Sequence, residues 1–140
     1  SLLVLKYSKS PLSLETVKIL KEPAFGVAVK DNYIYRASGS RLHVYNSENP
    51  LNPNEVYSEA LTASSSQSGK LFIGGNQLYL TTNRSAIIYD LTRLDRPKFV
   101  KEMAVPGIGD NYIYGRIKPQ NNKLYVCTGY SGLWIVENEQ

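Results

Sequence analysis

Residues 75–90 read GNQLYLTTNRSAIIYD, in which two apolar, β-branched and aromatic runs flank the polar turn 83–85. Val, Ile, Thr and Tyr favour strands. The Gly-Asn pair before the first run suits a tight hairpin turn, because both residues tolerate positive φ. The stretch therefore predicts two antiparallel strands, 77–82 and 86–90.

The first run and its turn occur three times along the chain. Tyr35, Tyr79 and Tyr125 each end an Ile-Tyr or Leu-Tyr pair that follows an Asn-containing turn. The tyrosines lie 44 residues apart (79 − 35) and then 46 apart (125 − 79). Segment 110–114 has the same letters as 31–35 but falls out of this spacing, so we expect it to form the innermost strand of the last unit.

The second run, an apolar strand ending in a polar residue, occurs four times, at 3–7, 42–46, 86–90 and 133–137. After the first three copies comes a Pro-bearing turn and another short strand. Proline cannot donate to a ladder, so it suits a turn or the start of an edge strand. Each unit therefore contains four strands, which are 26–30, 33–38, 42–46 and 55–59 in one unit and 71–74, 77–82, 86–90 and 98–103 in the next.

Four antiparallel strands in about 40–45 residues is the period of a β-propeller blade. The sequence predicts an all-β domain, 1–140, of about three four-stranded antiparallel blades. The repeats are expected at 1–22 (partial), 23–62, 69–105 and 110–140 (partial). Closed propellers have roughly four to eight blades, and the chain opens inside a strand pattern. We therefore expect a segment of a larger propeller, with closure by another copy of the chain as the alternative.

The strands 3–7 and 133–137, together with the Asn-Pro-Leu-Asn-Pro turn at 49–53, resemble the LVIVD-type repeat. Asp90 matches the aspartate that closes this strand in the family. The resemblance implies a β-propeller that belongs to an exported or cell-surface protein, so an extracellular or cell-surface location is expected. The family has no shared catalytic residues, so the resemblance implies fold and location only.

Composition and rare residues narrow the function classes. The net charge is +4, but the basic residues are scattered and do not form the stripe expected of a nucleic-acid interface. No apolar run approaches the ~20 residues that a membrane-spanning helix needs. The single cysteine, Cys127, excludes an intrachain disulfide and is expected to be a buried thiol. The single histidine, His43, is expected to pack within a strand, so no catalytic residue, metal site or cofactor is predicted.

Propeller ligands usually lie near the loops that join second to third strands. Here those loops contain Arg41, Arg84 and Tyr130. Arginine offers paired donors and tyrosine a flat stacking face, so these three residues are the predicted binding site for an anionic or sugar ligand. The recurring tyrosines are interpreted as packing between blades.

These observations predict a non-catalytic binding or scaffold module that recognises a protein or a glycan. Its other expected partner is the rest of its own propeller or another copy of the chain. Two alternatives stay open: part of a propeller enzyme, a hydrolase or lyase whose site needs further blades, and a lectin whose propeller closes by oligomerisation.

Overall fold

The structure, a computed structural model, describes residues 2–9, 12–20, 23–61, 68–82, 85–104, 117–121, 123–127 and 132–137. Within these ranges the chain is all-β, with thirteen strands and no helix. Strands that are consecutive in the chain pair antiparallel to form four separate sheets. The all-β class and the four-stranded antiparallel sheets predicted from the sequence are confirmed.

The four sheets follow one another along the chain. The first contains β1 (Leu2–Lys9) and β2 (Leu12–Leu20). The second contains β3 (Gly26–Lys30), β4 (Tyr33–Ala37), β5 (Arg41–Asn46) and β6 (Asn54–Ala60). The third contains β7 (Ser68–Gly74), β8 (Gln77–Thr82), β9 (Ser85–Asp90) and β10 (Lys98–Ala104). The fourth contains β11 (Ile117–Gln120), β12 (Lys123–Cys127) and β13 (Leu133–Glu137).

The turns after β3, β7 and β11 share one backbone feature. Each begins with a residue of positive φ: Asp31 at 50°, Gly75 at 58° and Asn121 at 51°. Gly, Asn and Asp are the residue types that enter the left-handed region at least cost. The turns predicted from the sequence therefore lie at corresponding places in three sheets.

A valine bulge marks the outer strand of the first three sheets. The pairing register shifts at Val17 in β2, Val56 in β6 and Val100 in β10, and each of these residues lacks a partner on the adjacent strand. A bulge places one extra residue on one strand and increases the local twist. The three bulges thus give a structural position at which the sheets can be aligned.

This alignment corrects the register predicted for the first sheet. Val4, which lies opposite the bulge, corresponds to Val44. The sequence pattern instead aligns Leu3 with Leu42, and therefore Val4 with His43. The difference is one residue, which exchanges the two faces of a strand. Bulges leave no mark in the apolar pattern, so the pattern alone could not have fixed this register.

Neighbouring sheets pack face to face. We call the face toward the next sheet along the chain the forward face and the opposite one the rear face. Leu42 and Val44 on the forward face of the second sheet join one buried core with Ile87 and Tyr89 on the rear face of the third. Strands β5 and β9 are accordingly buried on both sides.

The third and fourth sheets meet in the same way. Ala86 and Ile88 lie on the forward face of the third sheet, and Trp134 and Val136 lie on the rear face of the fourth. Residues at corresponding positions therefore point the same way in successive sheets. The innermost strands are also neighbours, since β3 lies beside β7 and β7 lies beside β11.

Two of the three recurring tyrosines, Tyr35 and Tyr79, pack between sheets. Tyr35 and Tyr79 are buried, and the Tyr35 hydroxyl donates a 2.9 Å hydrogen bond to the carbonyl oxygen of Leu94. Burial raises the pKa of Tyr35 and of Tyr89 above the ordinary value, and the Glu59 carboxylate adds to the effect at Tyr89. These phenols thus stay protonated and belong to the core, as their packing interpretation requires.

The fourth sheet departs from two expectations. Cys127 is exposed, not buried, because it lies with Tyr125 on the forward face, which no further sheet covers among the described residues. The first strand of this sheet is β11, downstream of segment 110–114, which was expected to form it. That segment lies outside the described residues.

Candidate functional site

An open cleft of about 730 Å³ lies beside the turn between β4 and β5. Its wall is formed by the chain before β3, by this turn, and by the rear face that β5 and β6 share. We call it the Arg41 cleft, and its lining residues are Pro23, Phe25, Ser38, Gly39, Ser40, Arg41, His43, Glu55 and Ser58.

The turn at the cleft is held by one serine. The backbone N–H of Ser38 donates to the carbonyl oxygen of Arg41 at 2.9 Å, and its hydroxyl lies 3.2 Å from the same oxygen. In the third sheet the hydroxyl of Thr82 makes the corresponding contact with the carbonyl oxygen of Ser85, also at 3.2 Å. The turns of the second and third sheets therefore share a hydroxyl that closes them.

Arg41 stands at the mouth of the cleft. Its side chain is exposed, and its Nη2 donates a 2.9 Å hydrogen bond to the Ser58 hydroxyl across the β5–β6 pair. That contact fixes one edge of the guanidinium and leaves its other donors directed at solvent or a ligand. Phe25, 60% exposed, adds a flat apolar surface to the same cleft.

His43 lies deeper in the cleft and is almost fully buried. Its Nδ1 lies 2.8 Å from Glu55 Oε2, and its Nε2 lies 3.3 Å from Ser38 Oγ. The imidazole also stacks near the Tyr45 ring, with centroids 6.4 Å apart. His43 therefore links an acid on β6 to the hydroxyl of the turn.

The bulge at Val56 is what brings Glu55 to His43. In the register of β5 and β6, Ser58 pairs with His43 and Glu55 pairs with Tyr45. His43 and Tyr45 are two apart and share the rear face, so Ser58 and Glu55 share it too, although they are three apart. Without the extra residue, Glu55 would point to the forward face.

The structure locates one of the three predicted ligand-binding residues. Arg41 lines the cleft, whereas Arg84 and Tyr130 lie outside the described residues. His43 is buried, as its packing interpretation requires, but its two polar partners were missed. The signal for them lies in the comparison of units, since Ile87 and Phe99 occupy the positions of His43 and Glu55 in the third sheet.

Two further features are absent from the part of the chain that the structure describes. It contains no cluster of three or more His, Cys, Asp or Glu side chains arranged to hold a metal ion. It also contains no helix with the length and apolar character needed to cross a membrane.

Comparison with known proteins adds no identification: no protein-family model matches the chain, and neither does any curated protein.

Proposed function

We propose that the chain is a β-propeller segment that acts as a binding or scaffold module and recognises an anionic group on a protein or glycan. The observation that carries recognition is the exposed Arg41 guanidinium, held at the mouth of a cleft beside an aromatic ring. Arginine binds carboxylate, sulfate and phosphate groups through paired hydrogen bonds, and Phe25 offers a surface on which a sugar ring can stack.

The arrangement of sheets supports the propeller. Consecutive antiparallel sheets pack forward face on rear face at two junctions, with their innermost strands side by side. Radial stacking of four-stranded sheets about inner strands is the design of a propeller. The resemblance to the LVIVD-type repeat agrees with it and is the support for an exported or cell-surface location.

Apolar surfaces on the rear face of β3 and on the forward face of β13 support further strands packed against each of them. Val27 and Val29 on the rear face of β3 are 47% and 61% exposed, while Leu71, at the position of Val27 in the third sheet, is 5% exposed. On the forward face of β13, Leu133 and Ile135 are 59% and 55% exposed. We assign both surfaces to further sheets of the same propeller, because forward and rear faces already pack on each other inside the chain.

An Ile135→Lys substitution tests this assignment. We expect the chain to sediment as a monomer and to bind a hydrophobic dye. The substitution is expected to lower dye fluorescence, because an exposed apolar face becomes charged. Val56→Lys, at an exposed bulge residue away from that end, is the control and should change little. A stable dimer that Ile135→Lys disperses would instead assign the surface to a second copy of the chain.

The recognition proposal is tested by binding to arrayed sialylated and sulfated glycans beside their neutral counterparts. Arg41→Ala is expected to lower affinity for the anionic glycans by about 10-fold or more, because a hydrogen bond to a charged group is lost. Arg41→Lys should retain part of the affinity, since lysine keeps the charge but not the paired donors.

Arg93→Ala provides the control for a general charge effect, because Arg93 is an exposed arginine already paired with Asp95. Equal affinity of Arg41→Ala and the unchanged chain would overturn the proposed site. Loss of affinity in both Arg41→Ala and Arg93→Ala would show that the effect comes from net charge.

The competing function is catalysis. It is favoured by one observation, the hydrogen-bonded row of Ser38, His43 and Glu55 in the same cleft.

A further inference from the structure

Ser38, His43 and Glu55 form a continuous hydrogen-bonded row on the wall of the Arg41 cleft. Ser38 Oγ lies 3.3 Å from His43 Nε2, and His43 Nδ1 lies 2.8 Å from Glu55 Oε2. This is the order hydroxyl, imidazole, carboxylate that activates a serine nucleophile. We propose that the row is an acyl-transfer site that hydrolyses small esters.

The general architecture of the sheets does not account for this row. At the corresponding positions of the third sheet stand Thr82, Ile87 and Phe99. Thr82 keeps the hydroxyl that closes the turn, but the two other positions are apolar. The fold therefore explains Ser38 and leaves His43 and Glu55 unexplained, and departures from a local rule concentrate at functional sites.

The tautomer follows from the partners of the ring. A carboxylate only accepts hydrogen bonds, so the contact with Glu55 places the proton on His43 Nδ1. Nε2 is then left as the acceptor of the ring, within reach of the Ser38 hydroxyl. Glu55 thus acts as a positioning residue that holds the ring, while His43 Nε2 faces the hydroxyl as its base.

The Ser38 hydroxyl has two acceptors within reach. It lies 3.2 Å from the Arg41 carbonyl oxygen and 3.3 Å from His43 Nε2. A hydroxyl hydrogen rotates about the C–O bond, so it can turn from the carbonyl to the imidazole. The backbone N–H of Ser38 still donates to the Arg41 carbonyl oxygen and keeps the turn closed while the hydroxyl proton is directed to the base.

The reaction has two steps that balance without a cofactor. Ser38 Oγ attacks the ester carbonyl carbon, and His43 Nε2 takes the hydroxyl proton. The bond to the alcohol then breaks, and His43 returns the proton to the departing alkoxide, leaving an acyl group on Ser38. Water attacks this acyl group in the same manner, with His43 again taking and returning a proton, and releases the carboxylic acid.

The lining of the cleft indicates the class of ester. Phe25 offers an apolar surface for the acyl or alcohol portion, and Arg41 places a cation beside the carbonyl oxygen, which becomes negative during attack. The proposal goes beyond binding and does not depend on the preference of Arg41 for anionic glycans. A neutral acyl substrate is therefore the appropriate probe.

Labelling with a neutral alkyl fluorophosphonate tests the nucleophile directly. Attack by Ser38 forms an oxygen–phosphorus bond as fluoride leaves, and mass spectrometry of the digested chain locates the label. Label on Ser38 is the expected result. Absence of label, or label on Ser40, which lines the same cleft, would overturn the proposal.

The rate of ester hydrolysis is measured with p-nitrophenyl acetate. Ser38→Thr keeps the turn hydroxyl, as Thr82 does in the third sheet, but its extra methyl group hinders attack. It is expected to lower the rate by about 100-fold, with an unchanged urea midpoint. Ser47→Ala, at a serine that does not line the cleft, should retain the rate. An unchanged rate in Ser38→Thr would refute the nucleophile.

Two variants separate the base from the positioning residue. His43→Gln should abolish both labelling and hydrolysis. Glu55→Gln should lower the rate by about 10-fold or more, and Glu55→Asp should recover part of it because a carboxylate again faces Nδ1. Equal rates in Glu55→Gln and Glu55→Asp would show that Glu55 acts only in the fold and would overturn its assigned role.

Discussion

Gly26→Ala is expected to lower the free energy of unfolding by about 2–3 kcal/mol, the upper part of the range for overpacked sites. A Cβ atom at Gly26 would lie 2.6 Å from the carbonyl oxygen of Gly69 and 2.8 Å from the backbone nitrogen of Leu71. Both are backbone atoms of the adjacent inner strand β7, so no side chain can rotate to make room. The two sheets would have to separate along this line.

The sign of the change makes this prediction decisive for the stacking of the sheets. If Gly26 had no neighbour outside its own sheet, Gly26→Ala should raise the free energy of unfolding by about 0.5–1 kcal/mol, because glycine loses more backbone entropy on folding. Stabilisation would therefore mean that β3 and β7 do not pack closely. Only close packing of β3 against β7 would make the substitution destabilising.

Urea unfolding followed by circular dichroism measures the change. Val27→Ala is the matched control, since Val27 is the next residue on the same strand and its side chain is 47% exposed on the other face. It is expected to change stability by no more than about 0.5 kcal/mol. A loss of equal size in both variants would assign the effect to β3 itself and not to its contact with β7.

The strands and turns were largely predictable because their signals are local. Turns that need positive φ select Asp, Gly or Asn at 31, 75 and 121, and the strands between them are short and rich in Tyr, Ile and Val. The alignment of the first sheet with the others was not predictable, because the sequence pattern places it one residue off and only the shared bulge position, at Val17, shows this.

The site was predictable only in part, for a related reason. Arg41 could be proposed because it lies at the start of β5, next to a connecting turn, where side chains are usually accessible. The pairing of His43 with Glu55 crosses two strands and depends on the Val56 bulge. A regular β5–β6 pairing would have directed Glu55 away from His43, so pattern reasoning alone excludes the contact that the structure contains.

The double substitution His43→Ile with Glu55→Phe restores the residues of the third sheet, and we expect it to raise the free energy of unfolding. Ile87 is almost fully buried, and Phe99 packs edge-on to Tyr89 with ring centroids 6.2 Å apart. In the second sheet, Tyr45 lies at the position that corresponds to Tyr89. It therefore offers a similar partner to a phenyl ring at position 55. Replacing a partly buried polar pair with packed apolar residues can be neutral or stabilising by about 1–4 kcal/mol, and the exposure of Glu55 places the expectation near 1 kcal/mol.

The single substitutions supply the contrast for this prediction. His43→Ile leaves Glu55 without its ring partner, and Glu55→Phe removes the acceptor of His43 Nδ1. Each single variant is therefore expected to be less stable than the double, and a double-mutant cycle in urea measures the difference as a coupling energy. The double variant should at the same time lose fluorophosphonate labelling of Ser38, while the turn hydroxyl stays in place. Higher stability with loss of reactivity would mean that the second sheet retains a polar pair at the expense of its own packing, as expected of a functional site. A double variant less stable than the unchanged chain would instead make His43 and Glu55 part of the structural framework.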